Sequence, residues 1–415
     1  MKPAANVTEV LEKIKPGSRV LLHSACAEPQ TLLEGLMAGI RAGEPHLQKL
    51  TLLTFTYRGS NALPPLYADL ELLGAGRFRL KSFFPHFSLK TVARAGLVDY
   101  IPASLSMLPG LIQAGHIGID IALMQTAPPD EHGRCSTGPS GDMVEALLER
   151  GVPLLGEINQ QMPFTFGPAI PLERFEAVIE TDRPLIEMPS QTAGALERAI
   201  AANVLEFVPD GATVQLGVGA IPEAVLELLR LRRNLNLHSG ALTDGIVDLI
   251  KSGAVTNATK PFDQGKTVAG FLLGTTKLFD FAHRNPLIQM AAADYVNSPV
   301  RVGQLPNFVS INSALEVDYW GQVNAEALGD WQLAGVGGQL DYIQGAWNTP
   351  DGVSIIALPS VTPTGKPRIV PRLAVGTPVS TPRHMAQIII TENGVADLRG
   401  KSLTEREALL KRLIG

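Results

Sequence analysis

Two glycine-rich loops are the stretches of this chain best suited to chemistry. Gly217-Val218-Gly219-Ala220-Ile221-Pro222 follows a short apolar run, Thr213–Leu216, and leads into a helical pattern over residues 223–230. Glycines at such a point let the backbone approach a ligand, and the helix N-terminus beyond them offers unpaired N–H groups to an anion or oxyanion. A plain strand-to-helix turn has the same pattern. The loop holds only half of a dinucleotide fingerprint: its third glycine position is not filled, and no acidic residue ends a following strand. The second loop, Gly335-Val336-Gly337-Gly338, precedes Gln339-Leu340-Asp341-Tyr342, and glycines this dense signal positive φ or close backbone approach. One cleft with a loop on either side is the arrangement in which both would act.

The remaining candidates point to structure rather than chemistry. Asp130-Glu131-His132-Gly133-Arg134-Cys135 contains metal-capable side chains, but their spacing fits no zinc motif, and a polar turn after Pro128-Pro129 explains them; no metal is expected. His23, His86, His116 and His238 are isolated, and a single histidine beside an apolar run is usually a satisfied core residue. Their spacing yields no Ser-His-Asp set. Cys26 and Cys135 cannot build a disulfide framework, which suits a reducing compartment.

The elements that must carry these loops alternate. Residues 19–23, Leu50–Phe55 and 119–125 read as strands and 28–42 as a helix, and the strands are apolar without polar alternation. That predicts an α/β fold with two open, mostly parallel sheets, covered on both faces, with function at strand carboxyl ends. Pro16-Gly17-Ser18-Arg19-Val20-Leu21-Leu22 before Pro29 is echoed by Pro209-Asp210-Gly211-Ala212-Thr213-Val214-Gln215-Leu216 before Pro222, each a strand, a small-residue loop and a helix with Pro in its first turn. The echo suggests internal duplication. A helix over 190–208, with Ser190 as N-cap, would join the halves, so the boundary falls near residues 184–189, giving domains 1–187 and 188–415.

Composition narrows the function classes. With 35 Lys+Arg against 40 Asp+Glu the net charge is −5, and no basic run forms, which argues against a nucleic-acid partner. No window is apolar enough for a transmembrane helix, and Glu9 and Glu12 interrupt any signal-peptide core, so a mature cytoplasmic protein away from the membrane is expected.

Many segments together resemble the acetyl-CoA hydrolase/transferase family of class I CoA transferases, which includes the acetate and 4-hydroxybutyrate CoA transferases. The resemblance rests on Pro128-Pro129-Asp130-Glu131-His132-Gly133, Glu157-Ile158-Asn159 with Met162-Pro163, the loop at Gly217, and Ser310-Ile311-Asn312-Ser313-Ala314-Leu315-Glu316-Val317-Asp318. It continues through Gly321-Gln322-Val323-Asn324-Ala325-Glu326, Gly335-Val336-Gly337-Gly338-Gln339, Arg368-Ile369-Val370-Pro371, and the run from Thr391-Glu392-Asn393-Gly394 to Ser402. It implies CoA-transferase-like halves, a homodimer, and a cleft that takes coenzyme A or acyl-CoA and a small carboxylate as substrates, with no permanently bound cofactor. It also implies ping-pong chemistry, in which a glutamate attacks the acyl-CoA and passes through an anhydride to a glutamyl-CoA thioester. Backbone amides from Gly217, Val218, Gly219 and Ala220, and from Gly337 and Gly338, would stabilise each oxyanion.

At one position the chain departs from the family pattern. In the family a His-Thr/Ser-Glu segment precedes Ser/Thr-Asp-Gly, whereas here Leu237-His238-Ser239-Gly240-Ala241-Leu242-Thr243-Asp244-Gly245 keeps the spacing and places Gly240 at the glutamate position. Three readings stay open: a transferase using another carboxylate (Glu316, Asp244, Glu392 or Glu28), a thioesterase with water in the vacated space, or a CoA-ester binding protein without turnover. Gly335, Lys366, Arg368 and Arg383 are the candidate CoA contacts, the basic three for its phosphates. Phe55-Thr56-Tyr57 and Phe83-Phe84-Pro85-His86-Phe87-Ser88 are candidates for the acyl pocket or for plain core.

Overall fold

The computed structural model describes residues 3–56, 64–329 and 331–414. Seven strands of the first half form one parallel sheet: β1 (Arg19–Leu22), β2 (Leu50–Phe55), β3 (Phe78–Phe84), β4 (Val98–Tyr100), β5 (Ile121–Thr126), β6 (Leu154–Asn159) and β7 (Phe175–Thr181), in the order β4-β3-β2-β1-β5-β6-β7. The second half repeats that order. Its strands are β8 (Thr213–Leu216), β9 (Asn236–Leu242), β10 (Thr267–Leu272), β11 (Ile288–Met290), β12 (Phe308–Ser313), β13 (Val353–Ala357) and β14 (Ile388–Thr391). They run β11-β10-β9-β8-β12-β13-β14, with β15 (Gly394–Asp397) added antiparallel at the edge. One strand order used twice is what duplication of a βα-rich half produces, so the echo at Pro16 and Pro209 belongs to a larger repeat.

The central strands are buried along their whole length because both faces are covered. Every residue of β5, β6, β8 and β10 is buried. A single cluster of buried side chains runs from Phe55, Phe83 and Met124 of the first sheet to Leu216, Phe271 and Ile311 of the second. Backbone hydrogen bonds also cross between the halves, from Gly141 N–H to the Gly270 carbonyl (3.0 Å) and from Met290 N–H to the Phe166 carbonyl (2.7 Å).

Element ends differ from the sequence expectation where side chains compete for the cap. The joining helix is Ala195–Leu205 rather than 190–208: Gly194 caps it, the Glu197 carboxylate accepts from Gly194 N–H (2.8 Å), and Ser190 instead donates to Glu223 (2.9 Å). The helix after the first glycine loop starts at Ala220, three residues earlier than expected, because Pro222 fits the first turn, where its missing N–H is no loss. Pro29 is a cap outside Gln30–Ala42 and not a first-turn residue, so the two units differ there.

Candidate active site

Parallel strands bring their carboxyl ends to one edge, and here the ends of both sheets converge. A cavity of about 280 Å³ lies between them. Leu216 ends β8 and Gly217 follows it, Gly240 and Ala241 lie toward the end of β9, and Phe271 lies toward the end of β10. Asn312 and Ser313 close β12, while Phe55 and Phe84 bring the ends of β2 and β3 from the first half. The second glycine loop and Tyr342 complete the wall.

The two loops therefore share one cavity, and particular glycines are required. Gly219 (φ 141°) and Gly337 (φ 60°) occupy backbone conformations that a side chain disfavours. Gly335 packs so closely that a Cβ would lie 2.8 Å from the Phe83 carbonyl oxygen, and one on Gly338 would lie 2.1 Å from Asn297 Nδ2. The second loop is tethered to the first half by Leu105 N–H to the Gly337 carbonyl (3.0 Å) and Val336 N–H to the Tyr100 hydroxyl (3.0 Å). Gly240, by contrast, sits in regular strand geometry, so its φ does not demand glycine. A Cβ there would meet the Tyr342 hydroxyl oxygen at 3.2 Å and Asn297 Nδ2 at 3.7 Å.

Gly217, Val218, Gly240, Gly335, Gly337 and Gly338 line this cavity, whereas Gly219 and Ala220 turn the chain into the helix behind it. Gly217 N–H is already bonded to the Ile311 carbonyl (2.9 Å), which takes it out of any set of free donors. The three basic candidates lie elsewhere. Lys366 is exposed, half-buried Arg368 donates to the Leu315 carbonyl (3.0 Å), and Arg383 lies 5.3 Å from the Trp320 ring centroid. Phe55 stacks on Phe271 (5.2 Å) and packs against Phe84 (5.1 Å), making an apolar wall; Tyr57 lies outside the described residues.

No charged side chain lines the cavity among the described residues. The four alternative carboxylates are not on its wall. Glu28 accepts from the Tyr67 hydroxyl (3.0 Å), Asp244 from Thr275 N–H (2.9 Å) and Oγ1 (3.0 Å), and Glu392 from Ser360 N–H (3.0 Å). Glu316 stands beside Arg368, where its charge offsets part of the burial that pulls the guanidinium pKa down.

Sequence spacing missed the polar groups that do reach the cavity. Asn297, 1 % exposed at the end of the short helix Ala293–Val296, has no acceptor at hydrogen-bonding geometry for Nδ2, and Gln339 Nε2 is likewise buried without a partner. Nothing local marks Asn297, while Gln339 is marked only by its place after the second glycine loop. Gln215, Ser310 and Asn312 satisfy one another: Ser310 Oγ donates to Gln215 Oε1 (2.8 Å), as does Asn312 Nδ2 (3.2 Å). Tyr342 donates to the Val296 carbonyl (3.2 Å), and burial pushes its pKa far up, keeping it neutral. Asp341 behind it accepts from Ser106 N–H (3.1 Å) and Oγ (2.7 Å); burial pushes its pKa up to about 6, with Ser106, Ser104 and Asn297 opposing.

The histidines act as struts. His238 Nε2 lies 2.8 Å from the Val296 carbonyl oxygen, and burial, then the Lys260 charge, pushes its pKa down to about 3. Burial likewise lowers His23, which sits between the Gln125 and Ser140 carbonyls, and takes His86 to about 4, while His116 is exposed. Asp130 closes its own turn by accepting from His132 N–H (2.9 Å) and Arg134 N–H (2.8 Å), and Cys135 is buried behind it with its pKa pushed up to about 11 by burial.

Twin parallel sheets meeting carboxyl end to carboxyl end around a glycine-walled, donor-rich cavity place the chain among the α/β enzymes that work at strand ends. Residues 2–188 match the acetyl-CoA hydrolase/transferase N-terminal domain and residues 274–414 the C-terminal domain of the same family. The chain belongs to the acetyl-CoA hydrolase/transferase family.

It is 37 % identical over 98 % of its length to a succinyl-CoA:acetate/propanoyl-CoA:succinate CoA transferase of Fasciola hepatica, covering 84 % of that protein. It is 36 % identical over 97 % of its length to a 4-hydroxybutyrate coenzyme A transferase of Clostridium kluyveri, covering 92 % of it. The structure of RipA from Yersinia pestis superposes with a TM-score of 0.92 at 33 % identity, over 99 % of this chain and 94 % of that one. No helix among the described residues is long and apolar enough to cross a membrane.

Proposed function

We propose that the protein is an acyl-CoA:carboxylate CoA-transferase for short-chain acyl groups whose active site lacks the family's glutamate nucleophile. One observation carries this reading: the cavity between the glycine loops offers neutral amide donors beside Gly240 and holds no carboxylate or basic side chain among its described lining. Such a wall suits a thioester carbonyl turning into an oxyanion, with donors fixed before the charge develops.

Hydrolysis is the second reading, because the cavity that Gly240 lines also has room for water. It is the weaker one, since hydrolysis needs a base to take the water's proton, and neither a carboxylate nor a histidine lines the cavity among the described residues. The third reading, CoA-ester binding without turnover, shares the same cavity.

In this proposal coenzyme A enters as substrate and not as a held cofactor. Its thioester end lies between Val218 and Gly337–Gly338, with Gly335 beside it, and its phosphates run toward Arg368, Lys366 and Arg383. The chain divides at 187/188 and works as a cytoplasmic homodimer. Incubation with acetyl-, butyryl- and succinyl-CoA, with and without acetate or succinate, is expected to form new acyl-CoA only when a carboxylate is present. Release of free CoA at the same rate without carboxylate would establish hydrolysis instead, and saturable binding without product would leave a binding protein.

A further inference from the structure

The cavity has more hydrogen-bond donors than acceptors at one point. On its wall Gln339 Nε2 is buried with no partner, and beside Gly240 the Asn297 amide, which faces the Asp341 carboxylate, closes no bond at hydrogen-bonding geometry through Nδ2; the Tyr342 hydroxyl, already donating to the Val296 carbonyl, stands next to Asn297. A buried donor left unbonded is costly, so a fold that keeps such donors on one cavity wall is arranged for an acceptor from outside. A carboxylate is the acceptor that fits, with two oxygens and about four lone-pair sites. A Cβ on Gly240 would point toward these groups, 3.2 Å from the Tyr342 oxygen and 3.7 Å from Asn297 Nδ2, and the carboxylate lies further along that direction, in the cavity. Gln339 also opens the helix Gln339–Asn348, whose N-terminal end favours a negative charge.

We infer that this space binds the free acceptor carboxylate and that the bound carboxylate is itself the nucleophile, replacing a protein side chain. The inference rests on the transferase reading. No Asp, Glu, Cys, His or Lys lines the cavity among the described residues, so no competing nucleophile of those types faces the thioester. One carboxylate oxygen attacks the thioester carbonyl carbon, the C–S bond breaks, and CoA leaves as the thiolate, giving a mixed anhydride. The thiolate sulfur then attacks the carbonyl carbon of the acceptor half, the bridging C–O bond breaks, and the first acyl group departs as a carboxylate. No net proton or electron is exchanged. The acid is a short monocarboxylate, because Phe55, Phe84 and Phe271 wall the far side and give no partner to a second charge.

Since both substrates must be bound together, initial rates with butyryl-CoA and acetate both varied are expected to give intersecting double-reciprocal lines. The intact mass after butyryl-CoA alone should be unchanged. A single turnover with doubly 18O-labelled acetate should place one 18O in the released butyrate. Asn297→Leu should raise the acetate KM about ten-fold or more, the loss of a hydrogen bond to a charged group, while the butyryl-CoA KM stays within about two-fold. Gly240→Glu fills the space, so parallel lines and a covalent adduct should replace the wild-type pattern; if that variant does not fold, the wild-type measurements decide alone. Parallel lines with an adduct on the wild type and unlabelled butyrate would overturn the inference and leave the transferase reading standing. Carboxylate-independent release of CoA would overturn both.

Discussion

Gly240 and Gly338 lie near the same asparagine and make different use of a missing side chain. At Gly240 the backbone is ordinary strand, and the nearest obstacle to a Cβ is a tyrosine hydroxyl at 3.2 Å, which a shift of a few tenths of an ångström relieves. At Gly338 a Cβ would meet Asn297 Nδ2 at 2.1 Å, and a buried amide 1 % exposed has little room to retreat. Gly338→Ala is therefore expected to lower stability by about 1–3 kcal/mol, the cost of overpacking, and to reduce turnover by displacing Asn297. Gly240→Ala should change stability by less than about 1 kcal/mol, because the strand tolerates the added methyl. Urea denaturation of the two variants beside the parent protein checks the contrast, and equal losses would contradict it.

The helix Gln339–Asn348 joins the cavity to the other half of the molecule. It presents Gln339 and Tyr342 to the cavity and turns Asp341 toward Ser106, so that one carboxyl docks the helix on the first half. Burial raises the Asp341 pKa from 3.8 to about 6, so the folded chain binds this proton more tightly than the unfolded chain. Its contribution to stability is full below the lower value, falls as pH rises through the interval, and levels off above about 6, an amplitude of up to about 3 kcal/mol. His238 and His86 act in the opposite sense: their pKa values are depressed, so stability is lost as pH falls below the ordinary histidine value. The informative quantity is the difference between wild type and Asp341→Asn. Urea midpoints between pH 4 and 7.5 should show wild type losing ground to the variant as pH rises, and a pH-independent difference would show that Asp341 is not held this way.

At the scale of the molecule, the same strand order in both halves has a functional consequence. Two parallel sheets related by repetition each end in loops at their carboxyl edges, and setting those edges face to face makes a cavity that neither half forms alone. Catalytic geometry then depends on how the halves are held. A continuous buried cluster and the backbone bonds at Gly141 and Met290 hold them. The proposed homodimer is tested by light scattering at micromolar concentration, where a mass near twice 44.3 kDa is expected and a mass near 44.3 kDa would refute it.

The sequence alone determined the alternation of strands and helices, the parallel sheets, the two glycine loops and the family. Each is written in a stretch of a few to a few dozen residues: apolar-rich runs such as Leu50–Phe55, glycines at Gly217 and Gly335, ordered motifs along the chain. Helix ends were less legible, because caps are decided by competing side chains, as when Ser190 bonds Glu223 and leaves Gly194 to begin the next helix. Only the tertiary structure decided which polar groups meet at the cavity. Asn297 carries no local signal and Gln339 is marked only by following the second glycine loop; the importance of both lies in an acceptor their amides lack, a property fixed by atoms from distant segments. For the same reason the candidate carboxylates, plausible by type, bond to hydroxyls and backbone N–H groups away from the cavity wall. Periodicity and spacing record what a residue's neighbours in the chain require; a site is made by the residues that folding brings beside it.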